Sequence, residues 1–495
     1  MVIKLEDDQK LIQIQGCILA YGHFSTIHPG HIRYLKHAKT LGDKLVIALI
    51  GDEVKKHFPF NQKERSEALE TIGIAHEIVA LRGSNLCELI KKINPKIIVL
   101  GNEYQSSEHL KEAIELQKSL GGIVKFHAGN VHYAATDLLG ELQEDIFKKR
   151  KYQFLDACKR QGIKLKDLLK AIDHWKNNKL IVIGDTIVDQ YAACEAIGMS
   201  AEAPVVVVRE LEKKNFIGGA AIVASHIKAL GAQCYLVSVI GEDNTAELVK
   251  QELKRQQIGE ALVIDPARPT SFKKRNVVEN QKLFRVTRMN DEKLSKDKED
   301  EIIARLELLA PEVNGVVVSD FVYGVVTKRI LEKLQELSQK YNFMLFGDVQ
   351  CSSQVGSVLR FKNFKLLCPN EREARIALQD KDSGLEQISN QILSLTNCQS
   401  LIMKLSSEGF IAYERDFTGY TRRQSFPALS VNPLDVTGAG DSLLALMSTA
   451  ISSGQPLMST AALGCCISSI SVETMGNSPI NSDTLRFKIS EIMNQ

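Results

Sequence analysis

Short apolar runs recur at 17–21, 45–50, 77–81, 97–100 and 123–126, and amphipathic stretches of helical length separate them. Runs this uniformly apolar suit strands covered on both faces, which is the habit of parallel sheets. Parallel neighbours need crossover connections, and the intervening helices supply them. Residues 1–140 therefore predict a small doubly wound, Rossmann-like α/β domain. From 141 to 178 the chain becomes charged and helix-favouring, with Lys148, Lys149, Arg150 and Lys151 in succession and the single tryptophan, Trp175, near its end. This segment reads as a helical linker whose basic run is a solvated face. A second alternation opens with an apolar strand at 180–183 and a Gly184-Asp185 turn, so 179–495 predict a second α/β domain. Within it, 203–209, 271–278 and 283–287 alternate apolar and polar positions, as an antiparallel sheet with one wet face does; such a sheet can serve as a small β lid. The run 290–301, dense in both charges, reads as a solvated loop entering a helix.

Composition narrows the function classes. A chain of 495 residues with 44% hydrophobic content is too long for one core. Lys and Arg total 62 against 60 for Asp and Glu, and a formal charge of +2 gives no electrostatic reason to expect nucleic acid or a membrane surface. The substrates are expected to be small molecules. Ten cysteines without any Cys-x-x-Cys pair suit reduced thiols, with Cys465 and Cys466 as core filler in an apolar run. The first residues lack a cationic region followed by an apolar one, and no stretch reaches the roughly 18 uncharged apolar residues of a spanning helix. A cytoplasmic protein is the expectation, with a homo-oligomer such as a dimer as its assembly.

Directly after the first strand comes Tyr21-Gly22-His23-Phe24-Ser25-Thr26-Ile27-His28-Pro29-Gly30-His31, then the amphipathic 32–41. Pro29 suits a helix start, so His28 and His31 cluster where unpaired amides and the helix dipole attract phosphate. Two imidazoles there can stabilise charge on a leaving pyrophosphate; metal ligation and a plain surface turn are the competing readings. The segment resembles the nucleotidyltransferase superfamily with an HxGH signature, and the likeness extends over roughly residues 16–139. It implies that His28 and His31 contact a nucleoside triphosphate, and that Arg65 and Thr136 lie near the nucleotide. The pattern departs at Ser25, where an aspartate is common, at Ala134-Ala135, which replace part of a hydroxyl-rich turn, and at 100–104, which lack a lysine before Gly101.

Near the other end, Asp435-Val436-Thr437-Gly438-Ala439-Gly440-Asp441 runs into an apolar helical stretch. Small residues let successive amides wrap an anion, and a carboxylate at the rim can take a proton from an attacking hydroxyl. A dinucleotide fingerprint would need a third glycine and a first βαβ unit, and a Walker-type lysine motif is absent from the sequence. Residues 179–495 resemble ribokinase-like (PfkB-type) carbohydrate kinases in this signature, in Gly184-Asp185-x-x-x-Asp189, in Gly218-Gly219-Ala220-Ala221 and in Asn370-x-x-Glu373. The resemblance implies Asp441 as general base and Gly438, Ala439 and Gly440 as the anion hole. It implies Asp189, Gly218 and Gly219 toward the sugar, Asn370 and Glu373 organising Mg2+ around ATP, and Lys404 and Gly409 as nucleotide neighbours.

Within that family the chain is most similar to the kinase part of bifunctional heptose 7-phosphate kinase/heptose 1-phosphate adenylyltransferases, through Asp189-x-Tyr191, residues 200–205, Thr270-x-x-Lys273-x-Arg275 and Ser319-Asp320 with Gly324. Lys273 and Arg275 suit a substrate that already carries a phosphate. The order of the domains is reversed here, Ile222 and Tyr323 replace an asparagine and a lysine, and 347–353 replace an Asp-Pro-Lys-Gly-like turn. The expectation is synthesis of a nucleotide-activated sugar: kinase action on a sugar phosphate with ATP, then nucleotidyl transfer. Its alternative is a carbohydrate kinase whose N-terminal domain binds nucleotide without catalysis; the base, ATP or CTP, stays open.

Overall fold

The computed structural model describes residues 2–494 except 6, 25–26, 28, 55–59, 102–103, 105–107, 127–142, 203–204, 279–280, 352–353 and 417–418. The chain divides into two compact units, Met1–Gly140 with Gln379–Gln391, and Glu141–Leu378 with Ile392–Gln495.

In the first unit β1 (Val2–Lys4), β2 (Ile18–Gly22), β3 (Leu45–Leu49), β4 (Glu77–Ala80), β5 (Ile97–Leu100) and β6 (Ile123–Phe126) form one sheet in the order β1-β4-β3-β2-β5-β6. Every pairing is parallel. Alternate residues of β3 enter different cores: Val46 and Ala48 pack on one face of the sheet, Leu45, Ile47 and Leu49 on the other. That two-sided burial is why the strands read as continuous apolar runs. β6 departs from the buried strand expected at 123–126, because it closes an edge and Ile123 is 51% exposed. β1 went unpredicted, since three residues carry no readable period. Strand order reverses at β2, with β3 and β4 on one side and β5 and β6 on the other. Ligands of open α/β sheets bind outside the carboxyl ends of the strands at such a reversal. The helix Pro29–Lys39 rises from this point. Its Tyr34 hydroxyl donates to the Val99 carbonyl (2.6 Å) and accepts from the Tyr21 amide (3.0 Å), fixing the helix to β2 and β5.

The second unit contains β7 (Lys179–Gly184), β8 (Thr186–Met199), β9 (Val206–Gly219), β10 (Gln233–Ile240), β11 (Gly259–Ile264), β12 (Ser271–Val278), β13 (Gln281–Arg288), β14 (Gly315–Asp320), β15 (Met344–Val349), β16 (Leu366–Leu367), β17 (Ser400–Lys404), β18 (Phe410–Arg415) and β19 (Thr421–Phe426). Nine of them make a sheet in the order β11-β10-β7-β14-β15-β16-β17-β18-β19, parallel except where β18 and β19 join. The other four form the lid sheet, β13-β12-β8-β9. Alternation foretold β12, β13 and the start of β9. It did not reveal β8, whose inner half is buried and reads as core while its outer half is exposed.

The stretch 141–178 is helical as expected, through Gln143–Arg160 and Leu165–His174, but it is no solvated spacer. Phe154, Cys158, Leu168 and Trp175 are fully buried in the core of the second unit, and the Trp175 indole donates to the Leu230 carbonyl at 2.7 Å. The charged residues between these apolar positions carried the composition and hid the stripe. Lys148 and Lys149 do lie exposed. Among the described residues no helix is long and apolar enough to cross a membrane.

Phe154 stands 6.4 Å, ring centre to ring centre, from Phe426. Removing so large a buried ring leaves a cavity that typically costs about 3–5 kcal/mol. Phe154→Ala is therefore expected to lower the unfolding free energy of the second unit by that amount, with a lower denaturant midpoint in equilibrium unfolding.

Candidate active sites

Gly438 caps the helix Ala439–Ser452 with φ +83°, and a Cβ there would lie 2.1 Å from the Asn477 side-chain oxygen. Only glycine permits both the left-handed turn and that contact. The turn delivers the first amides of the helix, which have no intrahelical acceptor, to the carboxyl side of the sheet. A Cβ on Gly440 would meet the Lys404 Nζ at 3.3 Å and the Asp348 carboxylate at 4.0 Å, so an ammonium lies beneath the amide cradle. Lys404 ends β17, Asp348 sits near the end of β15, and the two are paired at 2.7 Å. Burial would discharge the Lys404 ammonium, but Asp348 and Glu373 outweigh it and hold the pKa above its usual value.

Asp441, 4% exposed, lies in the first turn of the same helix and accepts from the Gln350 amide at 2.9 Å. Burial, then the Asp348 charge, push its carboxyl up to about 7, while Lys404 opposes. A carboxylate tuned to neutral pH matches the working range of a general base. Gln350 belongs to 347–353, where the sequence departs from the kinase pattern; its hold on the base was not foreseen.

Asp189 lies on β8 beside Lys273 of the parallel strand β12, and Arg275 Nη1 reaches its Oδ1 at 2.7 Å. Gly218 leaves room for this carboxylate: a Cβ would fall 2.6 Å from Asp189 Oδ2. Gly219 follows at the start of the helix Ala220–Ala229. Burial raises the Asp189 pKa, and Arg275 and Lys273 counter it. Thus Asp189, Gly218, Lys273 and Arg275 come together, and the charges of Asp189 and Lys273 are felt at Asp441. Gly409 opens β18, one turn beyond Lys404.

Sequence reasoning missed a second layer. Asp435 accepts from the Tyr191 hydroxyl (2.7 Å), Lys282 Nζ (2.8 Å) and the amides of Thr437 and Gly476 (3.0 and 3.3 Å). Burial would raise its pKa, but the bonds from Lys282 and Tyr191 prevail and bring it to about 2. A cavity of about 380 Å³ opens alongside, lined by Arg275, Lys282, Phe284, Arg285 and Thr437. Arg275 and Arg285 face each other directly across β12 and β13. Like charges so placed repel, which Asp189 relieves at Arg275, and this cross-strand pair is the signal a register prediction could have caught.

Asn370 and Glu373 are brought together at the start of the helix Glu371–Leu378, each side chain accepting the other's amide at 2.8 Å. Glu373 Oε1 also accepts from the Cys351 amide at 3.4 Å. Among the described residues no group of three or more His, Cys, Asp or Glu could hold a metal by itself. Asp348 Oδ1, however, is buried without a hydrogen-bond partner. These hard oxygen donors fit a divalent ion that brings its own water and phosphate ligands.

In the first unit His31 is in the first turn of the helix Pro29–Lys39, its ring 5.1 Å from Phe24, at the reversal point of the sheet. His28 and Thr136 lie outside the described residues. Arg65 is 2% exposed and its guanidinium turns inward. It donates to the carbonyls of Phe60 (3.1 Å), Ile50 (3.0 Å) and His23 and to Asp52 (2.6 Å), bracing the loops that leave β2 and β3.

An amide cradle, a buried carboxylate and a cationic lid on a doubly wound sheet define a phosphoryl-transfer enzyme. The chain belongs to the pfkB family of carbohydrate kinases, whose profile matches residues 177–484. The cytidylyltransferase-like profile matches within 19–300, and the N-terminal unit is nucleotidyltransferase-like. The Bifunctional protein HldE of Trichlorobacter lovleyi is 32% identical over 307 residues, 61% of this chain and 61% of that protein. The chain thus spans about three fifths of the length of that curated relative. Phosphofructokinase-2 from Escherichia coli, solved with substrates and products, shares the fold at 17% identity with a TM-score of 0.52, over 64% of this chain and 99% of its own. Arabidopsis thaliana ribokinase, solved with ribose and ATP, does so at 18% identity and 0.50, over 64% and 99%.

The raised Asp441 pKa has a consequence for stability. In the unfolded chain this carboxyl titrates near its ordinary 3.8, in the fold near 7. Below about 4 it is neutral in both states and its stabilising contribution is complete; that contribution is lost as pH rises to about 7 and beyond which the loss is constant. Asp441→Asn cannot ionise. Its melting temperature is expected to gain on the wild type between pH 4 and 7 and to hold that gain at pH 8, read by calorimetry.

Proposed function

We propose that the second unit transfers the γ-phosphoryl group of ATP to a sugar that already bears a phosphate, giving a 1-phosphate that keeps the remote phosphate, and that the first unit couples a sugar 1-phosphate to a nucleotide with release of pyrophosphate. The observation that carries this reading is the buried Asp441 carboxylate at the rim of the Gly438–Gly440 cradle, with the cation-lined cavity beside it. In this reading the acceptor hydroxyl gives its proton to Asp441 while the helix amides and Lys404 neutralise the phosphoryl oxygens. Asp189 accepts from sugar hydroxyls against Gly218 and Gly219. Arg275, Lys282 and Arg285 hold the remote phosphate, as planar and point cations do. Asn370 and Glu373, with the unpartnered Asp348 oxygen, would hold Mg2+, which when bound neutralises charge between the ATP phosphates.

A heptose 7-phosphate, a 1-phosphate product and adenylyl transfer are the specific substrates and steps we propose, supported by the Lys273 to Arg275 motif and by the kind of relative the chain matches. The domain limits proposed are 1–140 for the transferase, 141–178 for the connecting helices and 179–495 for the kinase. The assembly proposed is a homo-oligomer in the cytoplasm. One observation favours a second reading, in which the first unit binds nucleotide without catalysis: Arg65 is committed to four acceptors of its own chain.

Incubation with ATP, Mg2+ and a library of sugar phosphates, followed by mass spectrometry, is expected to give a sugar bisphosphate, and incubation with ATP, Mg2+ and sugar 1-phosphates an ADP-sugar with pyrophosphate. Arg285→Gln should raise KM for the sugar phosphate at least tenfold with little change in kcat. In a second assay His31→Ala should stop pyrophosphate release and leave phosphorylation intact. An ADP-sugar formed at the same rate by His31→Ala would remove the transferase assignment, and phosphorylation of unphosphorylated sugars alone would remove the remote-phosphate site.

A further inference from the structure

Lys273 is unlike the other cations of the lid. It is 3% exposed, and among the described residues its ammonium makes no hydrogen bond and no ion pair. Instead it stands over two aromatic faces, 5.1 Å from the Phe321 ring centre and 5.2 Å from that of Tyr323. Those rings are held firmly. The amides of Phe321, Tyr323 and Val325 all donate to the Asp185 carboxylate, at 2.8, 3.2 and 3.3 Å. Between the rings Val322 takes φ +63°, a conformation that a β-branched residue adopts only when its surroundings impose it. A strained turn thus presents an aromatic box to one lysine.

The side chain is buried beside Asp189, and ring faces in place of hydrogen-bond acceptors surround the ammonium, so cation–π attraction offsets part of its desolvation. An arriving anion can supply the acceptors that the rings do not. Two anions are available on the reading proposed above, on which this inference rests: the remote phosphate of the sugar and the phosphoryl group in transit. The register separates them. Lys273 pairs with Asp189 across β12 and β8, and its charge acts on both Asp189 and Asp441. Arg275 lies two residues, about 7 Å, further along the strand. The cavity suited to the remote phosphate is lined by Arg275, Lys282 and Arg285, and Lys273 is not part of its wall.

We infer that Lys273 is a catalytic residue of the phosphoryl transfer: its ammonium, aimed by the Phe321 and Tyr323 rings, contacts the transferring group on the side of the acceptor, opposite the amide cradle and Lys404. The acceptor oxygen forms its bond to the γ-phosphorus as the bond to the bridging oxygen breaks. The electron pair of that bond leaves with ADP, and the hydroxyl proton passes to Asp441. Negative charge on the equatorial oxygens then lies between Lys404 below and Lys273 above, and electrostatic help aimed at that moment raises kcat more than it lowers KM. The box keeps the lysine extended toward the reaction centre when no phosphoryl group is present.

The test needs no knowledge of the acceptor. ADP with Mg2+ is titrated into the full chain by calorimetry, with and without aluminium fluoride as a mimic of the planar phosphoryl group. Wild type is expected to gain at least tenfold in affinity from the fluoride complex. Lys273→Met, which fits the aromatic box, should bind ADP within threefold of wild type and lose most of that gain; Lys273→Arg should keep part of it. An equal gain in Lys273→Met and wild type overturns the inference, as does a wild type that binds ADP but gains nothing from fluoride. Failure of the wild type to bind ADP at all would instead overturn the kinase reading on which it stands.

Discussion

Burial of Asp441 in the first turn of its helix is the constraint around which the second unit is arranged. A carboxylate taken out of water needs donors and nearby cations, or it loses its charge. Here one amide donor, Gln350, comes from the loop after β15, and the nearest ammonium, Lys404, comes from the end of β17. Asp348 ties that ammonium down at 2.7 Å. Two strand ends and one helix start therefore have to meet, and the parallel sheet brings them to the same edge. The left-handed Gly438 lets the helix begin where it must.

The lid obeys the same economy of charge. Its inner side carries Lys273, Arg275, Lys282 and Arg285: Lys273 meets aromatic faces, Arg275 meets Asp189, Lys282 meets Asp435, and Arg285 lines the recess beside them. Asp435 collects a hydroxyl, an ammonium and two amides, so the signature loop is bound to β8 and β13 through one carboxylate. The two ends of a phosphorylated sugar would meet different chemistry: point and planar cations at one end, a base and an amide cradle at the other.

Much of this was legible from residue patterns. Continuous apolar runs identified β2 to β6 of the first sheet and β7 of the second, and small residues between Asp435 and Asp441 marked the cradle. What escaped notice depended on geometry that spacing does not encode. Gln350 supports the base from a loop whose sequence departs from the family, Lys282 reaches Asp435 across 153 positions, and Arg275 opposes Arg285 only once the β12 and β13 register is known. Edge strands failed in the opposite direction: β1 was too short to show a period and β6 looked buried because it is apolar, although half of Ile123 meets solvent. The resemblance puts Arg65 near a nucleotide, and its buried side chain bonds three backbone carbonyls and the Asp52 carboxylate, an environment that spacing does not encode.

The helices between 143 and 174 have a consequence for gene architecture. Phe154, Cys158, Leu168 and Trp175 belong to the kinase core, so the connecting peptide travels with the catalytic unit it precedes. An excision beginning at the first strand of the second sheet would strip an aromatic and thiol layer from the interior. A fusion joint placed upstream of Gln143 spares it, which gives a physical reason why a transferase can be attached ahead of a kinase of this kind without a redesign of either active centre.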